Sequence, residues 1–395
     1  MEPLKKHKVY YGEYSLSHWI ELMLSGNIKL PKYQRYFVWD EVQSRRLIQS
    51  LDHGYYIPAV TIASIENPTT HEIENLVLDG QQRLTSLLLA YLGKYPERRL
   101  VSPRKFAAEG DANDTETKKS DWQFTSLLAF GFTKDTIVNE INLNHSHDYK
   151  DFTIPALIVD KTFLDTHFLH FAFIVPDSTT DTKEKSRYLT NVFYCINSQG
   201  TKLTHLECRA ALYYQGGDYT ATFEPSFSQR IKVNGSCMDF VRSLAMVSNF
   251  KKLGRDSFWS GMDDRKDREI LYVDLIRDFL SDTLDDNEKL CTFTSFNQNL
   301  RKIEPALSSL GLLDKEYTSI VDLDIYYTGI IYYIMIEGKE LDTAEWENVK
   351  AQLDAKKAEF DGNRLHKRTP AKVAYVRLRV KASIDITQPL FPNLP

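Results

Sequence analysis

The sequence predicts an α+β protein, with an α/β domain over residues 1–180 and a mainly α-helical domain over residues 181–395. In the first half, strand-like runs bounded by turn residues alternate with amphipathic helical patterns. After residue 181, apolar residues recur mainly at helical spacing. The length of 395 residues is typical of two or three domains.

The first domain is predicted to begin with two capped helices. Ser15 precedes the helical pattern LSHWIELML and can cap it. Asp40 caps the next helix, and Gln43 stands three positions on, as in a capping box. The segment NIKLPKYQRYFVW between the helices is expected to be extended, because Pro31 disfavours a helical conformation at the residue before it.

The rest of the first domain is predicted from strand and helix patterns further along. YYIPAVTIASI and ENLVLDG have the character of strands, and the Leu-rich QQRLTSLLLAYL is the next helix. Residues 96–121 are polar, charged and aperiodic, which indicates a surface loop or a disordered insertion. Strand-like runs return in PALIVDKTFLDTHFLHFAFIVPD and are expected to complete the sheet.

The second domain is predicted from repeated apolar spacing of the helical kind. KEKSRYLTNVFYCI is amphipathic, and NSQGTKLT is expected to be a turn before another helix. Four longer helical patterns follow: DREILYVDLIRDFL, SFNQNLRKIEPALSSLGLL, SIVDLDIYYTGIIYYIMI and AEWENVKAQLDAKKAEF.

Charge and composition restrict the possible functions. With 49 basic and 54 acidic residues the formal charge is −5, so any nucleic-acid contact requires a local basic patch. The start has no apolar core of signal-peptide length, and the longest apolar run, residues 325–336, is too short to span a bilayer. We therefore expect a cytoplasmic protein with no membrane contact. The four cysteines form no Cys-x-x-Cys pair, which predicts reduced thiols and no zinc site.

The stretch LVLDGQQRLTS joins a strand to a helix and has the features of a ligand site. Gly80 lets the backbone turn sharply, and the N–H groups of the first helical turn can bind phosphate. Arg83 can add a forked contact to a phosphate. Asp79 can ligate Mg²⁺, orient a water or bind a ribose hydroxyl, while Gln81 and Gln82 can hold a base edge, a phosphate or an attacking water. The alternative is a turn followed by a solvated helix start.

Two other segments carry polar groups of the same kind. Gln34 and Arg35 lie beside aromatic residues in LPKYQRYFVW, which suits a phosphate contact and base stacking. The alternative is a strand with aromatic core residues and one surface arginine. Asn197, Ser198 and Gly200 are predicted in a tight polar turn, for which the alternative is an ordinary connection between helices.

Taken in order, LPKYQRYFVW, GYYIPAVTI, LVLDGQQRLTSLLL and FYCINSQGTKLTHLE resemble the N-terminal domain of GmrSD-type restriction proteins. The resemblance implies a ParB/sulfiredoxin-like fold and an NTP-binding, NTP-hydrolysing subunit of an anti-phage, modification-dependent DNA-restriction system. It implies catalytic roles for Asp79, Gln81, Gln82 and Arg83. It implies nucleotide or phosphate binding by Gln34, Arg35, Gly80, Thr85, Asn197, Ser198 and Gly200. The expected cofactors are a nucleoside triphosphate and Mg²⁺ or another divalent cation, held by Asp79.

Members of that family that cut DNA usually carry a His-Asn-His nuclease motif, and this sequence shows no match to it. His366 in HKRTP lacks the partner histidine and asparagine, and Asp324 with Glu337-Gly-Lys339 only faintly resembles another nuclease signature. The expected partners are therefore DNA, including modified phage DNA, a separate His-Asn-His-type nuclease subunit and a second copy of this chain. The alternative functions are a non-hydrolysing nucleotide- or DNA-binding switch and a self-sufficient ParB-like nuclease.

The segment RLHKRTPAKVAYVRLRVK is strongly basic and contains no acidic residue. Such a segment can follow DNA phosphates, with binding that weakens steeply as salt rises. The alternative is a solvated or partner-binding face. The predicted DNA-binding residues are Arg364, Lys367, Arg368, Lys372, Arg377, Arg379 and Lys381.

Overall fold

The computed structural model of the protein describes residues 7–31, 33–34, 36–66, 72–97, 104–105, 117–118, 122–177, 182–199, 205–214, 218–262, 265–280 and 293–392. The chain divides into two compact units. The first comprises Met1–Arg104 with Lys118–Gly217, and the second comprises Lys105–Thr117 with Asp218–Pro395. The helices between residues 182 and 212, which the sequence analysis assigned to the second domain, lie in the first unit.

The elements of the chain up to residue 212 are β1 (Lys8–Ser15), α1 (Leu16–Leu24), β2 (Ile28–Lys29), α2 (Glu41–Asp52), β3 (Val60–Glu66), β4 (Ile73–Asp79), α3 (Gln81–Leu92), β5 (Lys94–Pro96), β6 (Arg104–Lys105), β7 (Thr117–Lys118), a 3₁₀ helix (Phe124–Phe130), α4 (Lys134–Asn144), β8 (Tyr149–Asp151), α5 (Lys161–Thr166), β9 (Phe168–Val175), α6 (Thr182–Gln199) and α7 (His205–Leu212).

A five-stranded mixed sheet, in the order β1-β9-β3-β4-β2, organises the first unit. Strand β3 runs parallel to β9 and antiparallel to β4, and its residue Thr61 pairs with Asp79 at the carboxyl end of β4. The register then shifts, so that Ile62 pairs with Val77 and the β4 strand carries one extra residue. Such a bulge changes the direction of neighbouring side chains. Here it lies directly beside residues 79–83, the Asp-Gly-Gln-Gln-Arg motif.

Helices cover both faces of this sheet. Val77 packs into the core that contains Trp19 of α1 and the leucines of α3. Leu78, the next residue, faces the other way and packs with Leu189 of α6. Successive strand residues point to opposite faces, so the joint at the end of β4 lies between two helical layers.

Helix α3 is buried on every side except at Tyr91. Leu84, Leu87 and Leu88 are fully buried in the core. A helix that is buried all round lies within a core. Because the helix lies within the core, the amide and guanidinium side chains of its polar first turn are also buried rather than exposed to solvent.

Most predicted elements of the first unit are confirmed. Ser15 accepts from the backbone of His18 at the start of α1, and Asp40 forms the predicted capping box with Gln43. In the predicted extended segment before α2, the described residues form a regular strand only at the two-residue β2. Strand β1 was missed because most of its residues are exposed and its partner β9 is far along the chain.

The second unit is mainly helical, as predicted. Its elements are α8 (Thr220–Phe223), α9 (Ser226–Arg230), β10 (Lys232–Val233), β11 (Ser236–Cys237), α10 (Phe240–Leu253), α11 (Arg265–Leu280), α12 (Phe293–Ser309), β12 (Glu316–Tyr317), α13 (Ile320–Tyr326), α14 (Thr328–Ile331), a π-helix (Tyr332–Ile336), α15 (Trp346–Gly362), α16 (Arg364–Arg368), α17 (Val373–Thr387) and a 3₁₀ helix (Gln388–Leu390). No helix in the part of the chain that the structure describes has the length and apolar character needed to cross a membrane.

A buried ionic cluster holds α10, α13, α16 and α17 together. The Asp324 carboxylate accepts hydrogen bonds from Arg242 Nη1 at 2.6 Å and Arg379 Nε at 2.9 Å. Burial alone would raise the pKa of Asp324, but the two arginines hold it below its usual value. Arg379 Nη1 also donates to His366 Nε2 at 2.7 Å. Removing one member of such a cluster would leave an uncompensated buried charge.

Candidate functional site

A cleft of about 500 Å³ lies in the first unit at the joint between β4 and α3. It is lined by Gln34 and Trp39, by one face of α2, by residues 56–58, by residues 79–83 and by Ile196 of α6. Residues of the first two segments that the sequence analysis singled out therefore line one cleft, and the third segment contributes Ile196, which directly precedes Asn197. The size of the cleft is within the range of small-molecule sites.

Gly80 makes the turn between strand and helix. Its φ is +97°, a conformation that residues with a side chain rarely adopt. A Cβ at this position would lie 2.9 Å from Val60 Cγ2 and 3.2 Å from Arg83 Nη2. Both the turn and the close packing beneath the cleft therefore require glycine.

Asp79 and Arg83 form an ion pair along the start of α3. Arg83 Nη2 donates to Asp79 Oδ2 at 2.5 Å, and Arg83 Nη1 donates to the carbonyl of Pro58. Arg83 is almost buried, whereas about a third of the Asp79 side chain is exposed. The guanidinium is thus fixed in position, and Asp79 Oδ1 makes no hydrogen bond within the described part of the chain.

The side chain of Gln82 is hydrogen-bonded to the backbone of residues 36–39. Its Oε1 accepts from Val38 N at 2.8 Å and from Trp39 N at 3.1 Å. Its Nε2 donates to the Tyr36 carbonyl at 2.9 Å and to Gln81 Oε1. Both ends of this amide are used, so the geometry gives Gln82 a positioning role: it holds the aromatic segment against α3.

Gln34 has a similar structural role on the other side of the cleft. Its Nε2 donates to the carbonyls of Val77 and Leu78, at 3.1 and 3.4 Å. The side chain is 6% exposed. Gln34 therefore ties its loop to the end of β4 while it lines the cleft.

Gln81 and Thr85, unlike Gln82 and Gln34, each have a buried polar side-chain atom that makes no hydrogen bond in the described part of the chain. The Nε2 of Gln81 and the Oγ1 of Thr85 are buried and have no hydrogen-bond partner among the described residues. Buried polar groups are nearly always satisfied, so an exception calls for an explanation such as a ligand. Gln81 lines the cleft, whereas Thr85 lies one turn further into the core and does not.

The backbone at the start of α3 adds further donors. No side chain caps this helix, and the first bond inside it is Leu84 N to the Gly80 carbonyl at 3.0 Å. The N–H groups of Gln81, Gln82 and Arg83 therefore have no partner in the described residues. Together with the helix dipole they favour an anionic ligand.

Several predicted residues lie elsewhere or outside the described chain. Arg35 and Gly200 are not among the described residues. Asn197 and Ser198 were predicted in a turn but lie in the last turn of α6, which runs to Gln199. The structure describes their backbone and not their side chains.

Several cleft residues were not identified from the sequence, among them Arg46 and Tyr56. Arg46 lies on the face of α2 that lines the cleft, and Tyr56 lies at its rim with 86% of its surface exposed. The helical spacing of Gln43, Arg46 and Ser50 could have indicated a polar face, but only the fold shows that this face meets the motif.

The cleft could hold a divalent cation only if a bound molecule such as a nucleotide supplied further oxygen ligands. The described residues contain no group of three or more His, Cys, Asp or Glu side chains suited to metal binding. Asp79 offers one free carboxylate oxygen. Magnesium in phosphoryl-transfer sites commonly uses one or two carboxylates together with substrate phosphates, so this donor set is compatible with Mg²⁺ that arrives with a nucleotide.

The predicted basic segment in the second unit is only partly exposed. Arg379 was predicted to bind DNA, and this prediction was wrong. Its side chain is completely buried in the Asp324 cluster and cannot contact DNA. Lys381 pairs with Asp256, and Arg377 donates to the Asp256 carbonyl. The exposed cations of the segment are Arg364, Arg368 and Lys372; the side chain of Lys367 lies outside the described atoms.

The faint nuclease signatures have structural explanations. His366 is 1% exposed and accepts from Arg379, and burial together with that charge lowers its pKa to about 4. Asp324 is enclosed by two arginines, and Glu337 pairs with Lys251 at 2.7 Å. Within the described residues, none of these groups belongs to a cluster of side chains suited to metal binding.

The fold defines a unit of sheet and helices with a cleft at a strand-to-helix joint, where the start of α3 has no side-chain cap. The family model for the GmrSD restriction endonuclease N-terminal domain matches residues 16–214, and the chain belongs to this family.

The chain is also similar to an uncharacterized protein of Methanocaldococcus jannaschii. The two are 25% identical over 281 residues, which cover 58% of this chain and 48% of the relative. The chain thus spans about half the length of that relative.

Proposed function

We propose that the cleft binds a nucleoside triphosphate and hydrolyses its terminal phosphate, and that this activity serves DNA restriction together with a separate nuclease subunit. The observation that carries the proposal is the buried, unpartnered Nε2 of Gln81 at the open N-terminus of α3. It lies beside the Asp79–Arg83 pair in a cleft of about 500 Å³. A phosphate in this position would satisfy the side-chain amide and the free backbone N–H groups together.

The phosphate would be held mainly by fixed donors. Gly80 permits the sharp turn that exposes the N–H groups of the first helical turn, and these groups would stabilise negative charge on the phosphoryl oxygens. Arg83 is already fixed by Asp79 and Pro58. Phosphoryl transfer depends chiefly on positioning and electrostatics, so the cleft needs no nucleophilic side chain.

Asp79 would orient the attacking water, whose O–H its free Oδ1 accepts. The Nε2 of Gln81 would donate to the phosphate that the water attacks. Asp79 would hold Mg²⁺ that arrives with the nucleotide, and the ion would supply charge neutralisation.

The test is phosphate release from each of the four ribonucleoside triphosphates with Mg²⁺, with and without DNA. We expect Gln81→Ala and Asp79→Asn to lower turnover by roughly 100-fold or more, as loss of one charge-stabilising group does in other enzymes. Gln49→Ala is the matched control, because Gln49 does not line the cleft. Unchanged turnover in folded Gln81→Ala protein would contradict the assignment.

A non-hydrolysing nucleotide switch is the second candidate. It is favoured by the mutual neutralisation of Asp79 and Arg83 and by the lack of a metal-binding cluster in the described residues. This candidate predicts that nucleotide raises the Tm of the wild-type protein, by mass action, without phosphate release. Release that requires Gln81 would exclude it.

Cleavage of DNA is assigned to a partner. His366 is buried and neutral, and Asp324 is held in an ion cluster, so neither can serve as a nuclease residue. DNA contact by this chain would use the exposed cations Arg364, Arg368 and Lys372. Intact supercoiled plasmid after incubation with pure protein, Mg²⁺ and nucleotide is the expected result, and nicking would contradict it.

A further inference from the structure

One face of α2 brings polar groups to the cleft that the proposed hydrolytic residues do not use. Gln43, Arg46 and Ser50 are spaced by three and four residues and share that face. Arg46 is exposed and makes no ion pair within the described part of the chain. Because Asp79 and Arg83 neutralise each other, Arg46 gives the described lining of the cleft a net positive charge.

Tyr56 adds an aromatic surface at the rim. It lines the cleft although 86% of its surface is exposed. Its chain segment is firmly anchored, since Ile57 is 8% exposed and the Pro58 carbonyl accepts from Arg83. An exposed ring on an anchored backbone can stack against a base without a large loss of conformational freedom.

We infer that Arg46 and Tyr56 form a nucleotide subsite in which Arg46 binds the inner phosphates and Tyr56 stacks on the base. The inference rests on the proposed nucleotide binding. With the terminal phosphate at the start of α3, the rest of the ligand must extend toward the rim, where these two side chains lie. Stacking accepts any base, so this subsite confers binding strength with little preference among nucleotides.

The structure provides a matched control for each residue. Arg45, the neighbour of Arg46, pairs with Glu41 and does not line the cleft. Tyr55, the neighbour of Tyr56, is 67% exposed and stacks on His53 with ring centroids 5.6 Å apart. Tyr55 does not line the cleft either, so each pair differs in cleft access while the chemistry is the same.

The experiment measures binding to the full chain by calorimetry, with Mg²⁺ and two probes: a non-hydrolysable ATP analogue and inorganic tripolyphosphate. We expect Arg46→Gln to weaken both probes by roughly 10-fold, the scale of a charge-assisted contact. Tyr56→Ala should weaken the ATP analogue by roughly 10-fold and leave tripolyphosphate unchanged, while Tyr56→Phe retains binding. Arg45→Gln and Tyr55→Ala should both bind like wild type.

The outcomes separate this inference from the proposed function. If the wild type binds the analogue and neither Arg46→Gln nor Tyr56→Ala weakens it, the subsite is refuted and nucleotide binding stands. If Tyr56→Ala weakens tripolyphosphate as much as the analogue, the ring does not act by stacking. If the wild type binds neither probe, the proposed function fails and the subsite fails with it.

Discussion

Gln81 and Gln82 are adjacent and chemically identical, but their replacement by alanine should have opposite consequences. Gln82→Ala removes the acceptor of Val38 N and Trp39 N and the donor to the Tyr36 carbonyl. Gln81→Ala removes only the acceptor of one side-chain bond, because its own Nε2 has no partner in the described residues.

The magnitudes follow from these contacts. Each hydrogen bond is worth about 1 kcal/mol net, and a buried backbone group left without a partner costs about 1–3 kcal/mol. The three hydrogen bonds of Gln82 to the backbone are partly buried, so we expect Gln82→Ala to lose about 3 kcal/mol in the free energy of unfolding. For a unit of this size that lowers the Tm by roughly 10 °C. Gln81→Ala should lose no more than about 1.5 kcal/mol.

The assay is thermal and urea unfolding of both variants, with phosphate release measured below the Tm. We expect Gln82→Ala to be unstable and Gln81→Ala to be stable but inactive. Equal Tm values for the two variants would refute the contacts assigned to Gln82. Full activity in both would refute the role assigned to Gln81.

Three further predictions concern other residues. Gly80→Ala should be poorly folded or strongly destabilised, since its φ of +97° and the contact with Val60 both exclude a side chain; a Tm equal to wild type would contradict this. The pKa of His366 is lowered to about 4, so between pH 6.5 and 4 the unfolded chain binds more protons than the folded chain. The free energy of unfolding should therefore fall by about 1–2 kcal/mol from pH 6.5 to pH 5. Urea unfolding of His366→Gln should show a flatter pH dependence than that of the wild type. Reversing three exposed cations should weaken DNA binding and its salt dependence in titrations, whereas Arg379→Gln should instead unfold the second unit; the three are Arg364, Arg368 and Lys372.

Local signals in the sequence predicted much of the first unit. The cap at Ser15, the capping box at Asp40 and the strand-to-helix joint at Asp79 each depend on a few neighbouring residues, and all three are present. The polar turn predicted at Asn197 and Ser198 was wrong, because α6 includes both residues and ends at Gln199.

Features that depend on distant residues were harder to predict. Arg379 is one of seven basic residues in its segment, and its burial follows from Asp324, which lies 55 positions earlier in the chain. Arg46 and Tyr56 have no distinctive sequence pattern. Their relevance comes from the cleft, which forms only when α2 and the end of β4 are brought together.

The burial of the motif has a consequence for sequences that share it. Gly80, Gln82 and Arg83 hold the turn, the aromatic segment and the Pro58 carbonyl in place, so a chain that had lost all catalytic activity would still need them to fold. Such a pseudoenzyme would keep a nearly intact motif. Gln81 makes one side-chain hydrogen bond within the described residues, so an inactive chain could replace it with another residue at little cost in stability. The identity of the first glutamine, rather than the presence of the whole motif, should therefore distinguish active copies from inert ones.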